Sequence, residues 1–232
     1  MLPQPATSSV SPRHLSMQKW RGRVGMGLVA SLSVLAGMTD AIGFMATGDF
    51  VSFMSGNTTR LAVAISDGDL SVTVRLTLAI LAFIAGNALG VVVARLGGRR
   101  ALLLGIATLL CAAAAWPLES NMLALIWAIL AMGMLNAAVE QVNGLPVGLT
   151  YVTGALSRFG RGLGRWMLGE RRDGWRVQLV PWVGMFIGAV IGALLEHRLG
   201  LNALLISGSL SALLGLVSLK IPHRWQRQYM PR

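Results

Sequence analysis

The chain is expected to fold as an all-α, polytopic helical membrane bundle of about six spans, and three observations carry that expectation. Hydrophobic residues fill 54% of its 232 positions and charged residues only 12%, about half the share that keeps a soluble domain's surface wet. Apolar stretches of about 20 residues, enough to cross a hydrocarbon core of about 30 Å, recur along the chain. Basic residues gather on alternate connections between those stretches, as they do in membrane proteins of defined orientation.

The first 23 residues are Pro- and Ser-rich, then basic at Arg13, Lys19, Arg21 and Arg23. They read as a cytoplasmic tail rather than a signal peptide, because the apolar run behind them continues for a full span. A single membrane domain over 24–220 follows, with spans expected near 24–46, 73–94, 101–118, 122–140, 177–197 and 202–219. A second cytoplasmic tail covers 221–232. Apart from Lys220, which abuts the second tail, only Arg60, Arg75 and Arg198 of the 20 Lys and Arg residues lie outside the two tails and the connections at 95–100 and 158–176. The positive-inside rule then puts both termini in the cytoplasm. The net charge of +11 is thus a matter of topology. Without an aromatic-basic stacking platform beside it, nucleic acid is not an expected partner, whereas anionic lipid headgroups of the bilayer are.

The chain also repeats itself. "GMTDA" (37–41) stands beside "GMLNA" (133–137), and "FMSGNTTRL" (53–61) beside "YVTGALSRF" (151–159). "FIAGNALGVVVARLG" (83–97) stands beside "FIGAVIGALLEHRLG" (186–200). Two registers fit this last pair: one aligns the Phe-Ile and Arg-Leu-Gly ends, the other aligns Ala82, Gly86 and Gly90 with Gly184, Gly188 and Gly192. The three matches keep their order and divide the membrane domain into halves at about 24–118 and 122–219. Three spans per half is an odd number, so the second half must enter the membrane inverted, a frequent plan of secondary transporters. The glycine series, Gly86 and Gly90 in one half and Gly184, Gly188 and Gly192 in the other, mark faces where a second helix comes close, within the chain or across a homodimer.

The polar stretch at 53–61 follows a span that already carries Asp40, and its counterpart follows Asn136 and Glu140. A carboxylate in hydrocarbon costs roughly 2.5–3.5 kcal/mol on insertion scales, so it faces a cavity or a partner. The segment 51–65 is too short to cross and reads as a half-helix or re-entrant piece, with Ser55, Gly56 and Asn57 near its start. Ser and Asn can cap its free N–H groups, and Gly56 lets backbone or ligand approach. In this reading Asp40 is the solute-facing or proton-responsive carboxylate, with Asn136 and Glu140 as its counterparts. Ser55, Asn57 and Thr58 offer hydrogen bonds, Arg60 attracts an anion at the outer mouth, and Thr153 and Gly154 occupy the corresponding places in the second half. The alternative is that these groups only lock helices together by hydrogen bonds.

The run "AGMTDAIGFMATGDFVSFMSGNTTRLA" (36–62) resembles the opening motif of the YoaK-like family of bacterial membrane proteins, a domain-of-unknown-function family. There an aspartate of the first span precedes a Phe-rich turn and a Met-Ser/Thr-Gly-Asn-Thr segment. The resemblance extends over residues 24 to about 220 and implies a small protein of the bacterial inner membrane with about six helices. It implies no substrate and no reaction.

Enzymatic motifs are thin. His14, His197 and His223 lie in tails or at a span end, which leaves no intramembrane Ser-His pair. Neither a His-Glu-x-x-His nor a Cys-x-x-Cys motif is present, so no metal and no cofactor are expected, and the lone Cys111 cannot form an internal disulfide. Met132 and Met134 point to different helix faces and suit packing better than copper. Trp166, Trp175, Trp182 and Trp225 read as anchors at headgroup depth. Three functions stay open: a small secondary transporter for a small polar solute or ion, a non-transporting scaffold or regulatory partner, and a passive channel.

Overall fold

The computed structural model describes residues 12–115, 121–138, 141–142, 145–146, 152–170 and 174–218. Among them are seven α-helices: α1 (Pro12–Thr47), α2 (Met54–Ser66), α3 (Leu70–Ala115), α4 (Asn121–Leu135), α5 (Val152–Met167), α6 (Leu179–Leu199) and α7 (Leu204–Val217). A 3-10 turn, Asn136–Ala138, extends α4, and Gln141–Val142 pairs antiparallel with Leu145–Pro146.

Among the described residues, three stretches are long and apolar enough to cross a bilayer, Arg23–Thr47, Leu70–Ala115 and Arg176–Val217, and Met122–Ala138 is a shorter apolar one. The 46-residue and 42-residue stretches, at 1.5 Å per residue, reach about twice a core of roughly 30 Å. Each is interrupted at a glycine. Gly98 (φ 72°) splits α3, and Gly200 (φ 57°) separates α6 from α7; both sit in the left-handed region that a Cβ disfavours. Gly90 and Gly105, on either side of Gly98, both abut Met134, so the two arms of α3 lie side by side. Six apolar helices result, at the places the hydropathy predicts, and they form a helical membrane bundle.

Two seams hold the bundle, α1 against α6 and α4 against the first arm of α3. In the first, a Cβ on Gly188 would lie 2.8 Å from Val34 Cα, one on Gly192 2.8 Å from Met38 Cα, and one on Gly37 2.9 Å from Met185 Cα. In the second, a Cβ on Gly86 would lie 3.0 Å from the carbonyl carbon of Leu130, one on Gly90 2.8 Å from Met134 Cα, and one on Gly133 2.5 Å from the Phe83 carbonyl oxygen. Contacts this short leave no room for a side chain, so the helix backbones touch. The three contacts correspond one to one: Val34–Gly188 with Leu130–Gly86, Met38–Gly192 with Met134–Gly90, and Gly37–Met185 with Gly133–Phe83. Their register is the one that aligns the small residues. Aligning the Phe-Ile and Arg-Leu-Gly ends would set Gly188 against Ala85 instead of Gly86, and would lose the match of Gly98 with Gly200.

The second arm of α3 packs on α7, where the Ser211 hydroxyl donates to the Leu103 carbonyl at 2.8 Å. Leu32, Leu35, Leu102, Leu103, Ile106, Leu110, Leu125, Ile129 and Met132 fill the interior. Outside, the first arm of α3 exposes Val74, Leu78, Leu81, Ile84 and Val92, and α6 exposes Phe186, Ile187, Val190 and Leu194. A patch of that extent belongs against lipid, not water.

Candidate functional site

The connection between α1 and α2 is densely hydrogen-bonded. α1 ends at Gly48, whose φ of 78° suits the left-handed residue after a helix and whose N–H donates to the Phe44 carbonyl at 2.7 Å. The Thr47 hydroxyl donates to the Gly43 carbonyl at 2.7 Å and accepts from the Asp49 N–H at 3.2 Å. The chain then doubles back along α1. Asp40 Oδ1 accepts from the backbone N–H groups of Val51 (2.9 Å) and Ser52 (2.6 Å), satisfying two donors that would otherwise be stranded in apolar surroundings.

Asn57, fully buried, closes the loop from the other side. Its Oδ1 accepts from the Phe50 N–H at 3.0 Å and its Nδ2 donates to the Phe50 carbonyl at 2.6 Å, so one amide imitates a strand partner. Gly56 lies under the Phe50 ring, where a Cβ would come within 2.8 Å of Cδ2. Phe50 in turn stacks on Phe44, with centroids 4.8 Å apart. Asp49 is completely buried and bridges two guanidinium groups, Arg60 at 2.7 Å and Arg75 at 2.6 Å. Arg60 also donates to the Gly48 carbonyl. The Asp49 bridges therefore tie together the end of α1, the middle of α2 and the start of α3.

Beside this turn lies a cleft of about 200 Å³, lined by Gly37 and Asp40 of α1, Phe53 at the start of α2, Val152 at the start of α5, and Trp182, Met185, Phe186 and Ala189 of α6. Among the described residues of that lining, Asp40 is the one that ionises. Trp182 and Phe186 stack with centroids 5.6 Å apart and planes 6° from parallel. α5 is positioned by its contacts with the segment before α6: Arg158 Nε donates to Gln178 Oε1 at 2.8 Å, and the Phe159 and Trp175 rings meet at 5.1 Å. Among the described residues no group of three or more His, Cys, Asp or Glu could hold a metal ion.

The residues singled out from the sequence therefore divide. Asp40 reaches the cleft, and the starts of both short helices converge on it. Asn57, Gly56 and Arg60 build the wall behind it. Ser55, Thr58 and Thr153 are exposed and Gly154 is half-buried, all outside the cleft lining. The Thr58 hydroxyl donates to the carbonyl of Met54 in its own helix. Asn136 sits half-buried in the 3-10 turn beyond α4 and does not line the cleft, while Glu140 lies outside the described residues. Sequence reasoning missed Phe53, Val152, Met185, Phe186 and Ala189, and placed Trp182 at an interface. It also left Asp49 and Arg75 as loop charges. A usable signal for these two was the pair Arg60 and Arg75, which stand apart from the connections where most other basic residues gather and so call for a local anion.

Residues 28–217 match the model of a family described as a protein of unknown function, DUF1275. A UPF0700 transmembrane protein of Rhizobium meliloti (strain 1021) is 49% identical over 222 residues, covering 96% of this chain and 98% of that relative. No solved structure matches. A family match over most of the chain and a transmembrane relative of nearly equal length agree with the apolar bundle: this chain belongs to the DUF1275 family of membrane proteins.

Proposed function

We propose that this protein is a small secondary transporter of the bacterial inner membrane, multi-pass with both termini cytoplasmic, built as two inverted three-helix halves. The observation that carries the reading is the cleft, because both halves contribute to it: Gly37, Asp40 and Phe53 from one, Val152, Trp182, Met185 and Phe186 from the other. Transporters of inverted-repeat design place their solute between the repeats, with broken helices beside it. The one-to-one correspondence of the two glycine seams supports the repeat, and the distribution of Lys and Arg supports the orientation.

The test is a thermal-shift screen of purified wild type and Asp40→Asn against small anions, cations, amino acids and sugars at several pH values, followed by flux in proteoliposomes. A solute that binds only the folded state stabilises it by about 2.7 kcal/mol at a hundredfold excess over Kd. The expected result is a stabilising solute whose effect and flux are both lost in Asp40→Asn.

One observation favours a second reading, a non-transporting scaffold. Asp40, Asn57 and Arg60 all bond backbone groups of the same turn, which is what a helix lock requires. Under that reading Asp40→Asn and Asn57→Ala lower the melting temperature, and no solute raises it.

A further inference from the structure

We infer that the cleft beside Asp40 takes a small organic monocation with an apolar body, an ammonium of the benzylammonium or short tetraalkylammonium type. The inference rests on the transporter reading for its physiological meaning, but the binding chemistry stands on the cleft alone. Among the described residues, the walls are Phe53, Trp182, Phe186 and Met185, with one carboxylate, Asp40, and no Lys, Arg or His.

Each solute class meets these walls differently. An anion would face the Asp40 charge with no cation among the described lining residues to offset it. The two guanidinium groups of the adjoining turn, Arg60 and Arg75, are bound to the buried Asp49 and stand outside the cleft lining. A sugar or zwitterion needs several directional partners, and an apolar lining leaves its hydroxyl or carboxylate groups unpaired, at a cost of about 1–3 kcal/mol for each group buried without one. A compact cation gains from both features. It neutralises a carboxylate that is 5% exposed and lies in apolar surroundings, and it rests on aromatic faces, which attract cations. At about 200 Å³ the space falls below the roughly 300–1,000 Å³ of drug-sized sites, so the cation is small.

The experiment is a fluorescence titration of the purified full chain with benzyltrimethylammonium, with phenylacetate and benzyl alcohol as anionic and neutral probes of similar shape. Trp182 lies in the wall, so saturable quenching that disappears in Trp182→Phe reports the cleft itself. Binding of the cation at least about tenfold tighter than either other probe, weakened about tenfold or more in Asp40→Asn, is the expected result. Asn can still accept from the Val51 and Ser52 N–H groups, so that variant is expected to fold; Phe186→Ala, on the half-exposed rim, weakens binding independently. Equal or better binding of phenylacetate or benzyl alcohol overturns the cation assignment and leaves the transporter reading standing. Saturable cation binding without flux in proteoliposomes does the reverse. A lipid's own ammonium headgroup offers the same chemistry. Weaker probe binding in vesicles of half phosphatidylethanolamine and half phosphatidylglycerol than in vesicles where an uncharged glycolipid replaces the phosphatidylethanolamine, so that surface charge is equal, assigns the site to the headgroup, and equal binding assigns it to a free solute.

Discussion

The α1–α6 seam and the α3–α4 seam are built from the same three backbone contacts, yet only one of them borders the cleft described above. On the first, Met185 and Phe186 follow Gly184, and Asp40 lies three residues past Gly37. On the second, Phe83 takes the place of Met185, and Asn136 that of Asp40. The packing frame is shared and the chemistry is not. A glycine that lets two helices touch serves both halves alike, because its constraint is steric. A carboxylate in the membrane is costly and is kept where it has partners, here the Val51 and Ser52 N–H groups. The short helices differ in the same way. Arg60 reaches a buried carboxylate shared with Arg75, whereas Arg158, at the matching position of α5, bonds the neutral Gln178.

The sharpest way to break the comparison is to fill one seam at a time. Gly192→Leu and Gly90→Leu each drive a side chain onto the backbone of the facing helix, and overpacking of this kind costs about 3 kcal/mol or more. Nearly equal losses in melting temperature are expected. A loss confined to Gly192→Leu would mean that the second seam can part and that the correspondence is one of sequence only.

The next largest effect belongs to the turn between α1 and α2. Asp49→Ala leaves Arg60 and Arg75 beside an uncompensated apolar pocket. Breaking a buried pair costs about 3–5 kcal/mol, and the partial exposure of both guanidinium groups brings the expected loss to about 2–3 kcal/mol. Arg158→Ala should cost about 1 kcal/mol, because its charge-assisted bond to Gln178, of a kind worth about 1.5–3 kcal/mol, is discounted by the partial exposure of Arg158. Chemical denaturation of the two variants side by side measures the difference, and equal losses would deny that the first half carries the stronger lock. Asn57→Ala strips Phe50 of both backbone partners and should cost about 2 kcal/mol, within the range for leaving buried groups unpaired.

The frame was legible in the sequence because each part of it follows a local rule. Spans follow hydropathy, helix contacts follow small residues four apart, and the break at Gly98 falls among the basic residues Arg95, Arg99 and Arg100 that mark a connection. The short helix at 54–66 was visible from its polar start and insufficient length. What stayed hidden depends on rotation and on distance along the chain. Whether Trp182 turns to lipid or to a cleft is set by the seam register, and two registers fitted the alignment. That Asn57 bonds Phe50 rather than a solute depends on the chain doubling back after Gly48, a tertiary event that no spacing announces. The polar groups between 47 and 60 looked like a binding surface because they are polar in an apolar chain. Half of them, Thr47, Asp49, Asn57 and Arg60, are consumed by the turn that presents Asp40.

Asp40→Asn separates stability from function more cleanly than the other substitutions. The amide oxygen can accept the same two N–H groups, so the melting temperature should change by less than the equivalent of about 1 kcal/mol, the value of exchanging one hydrogen-bond acceptor for a similar one. The charge, however, is gone, and solute-dependent stabilisation should go with it. A large drop in melting temperature without any solute effect in wild type would instead identify Asp40 as a structural cap and shift the balance to the scaffold.

The smallest expected effects fall on Thr58 and Thr153, the exposed hydroxyls of the two short helices. Thr58 donates to the Met54 carbonyl within its own helix, a bond that water can replace, so Thr58→Ala and Thr153→Ala should each stay within about 0.5 kcal/mol of wild type. Neither lines the cleft, so probe binding should be unchanged as well. Flux is the measurement that gives these variants value. An inverted repeat that works by exchanging the roles of its halves would bring each short helix to the solute path in turn, and both substitutions would then slow flux without touching stability or affinity. Flux that stays normal in both would confine the solute path to the one cleft between α1 and α6.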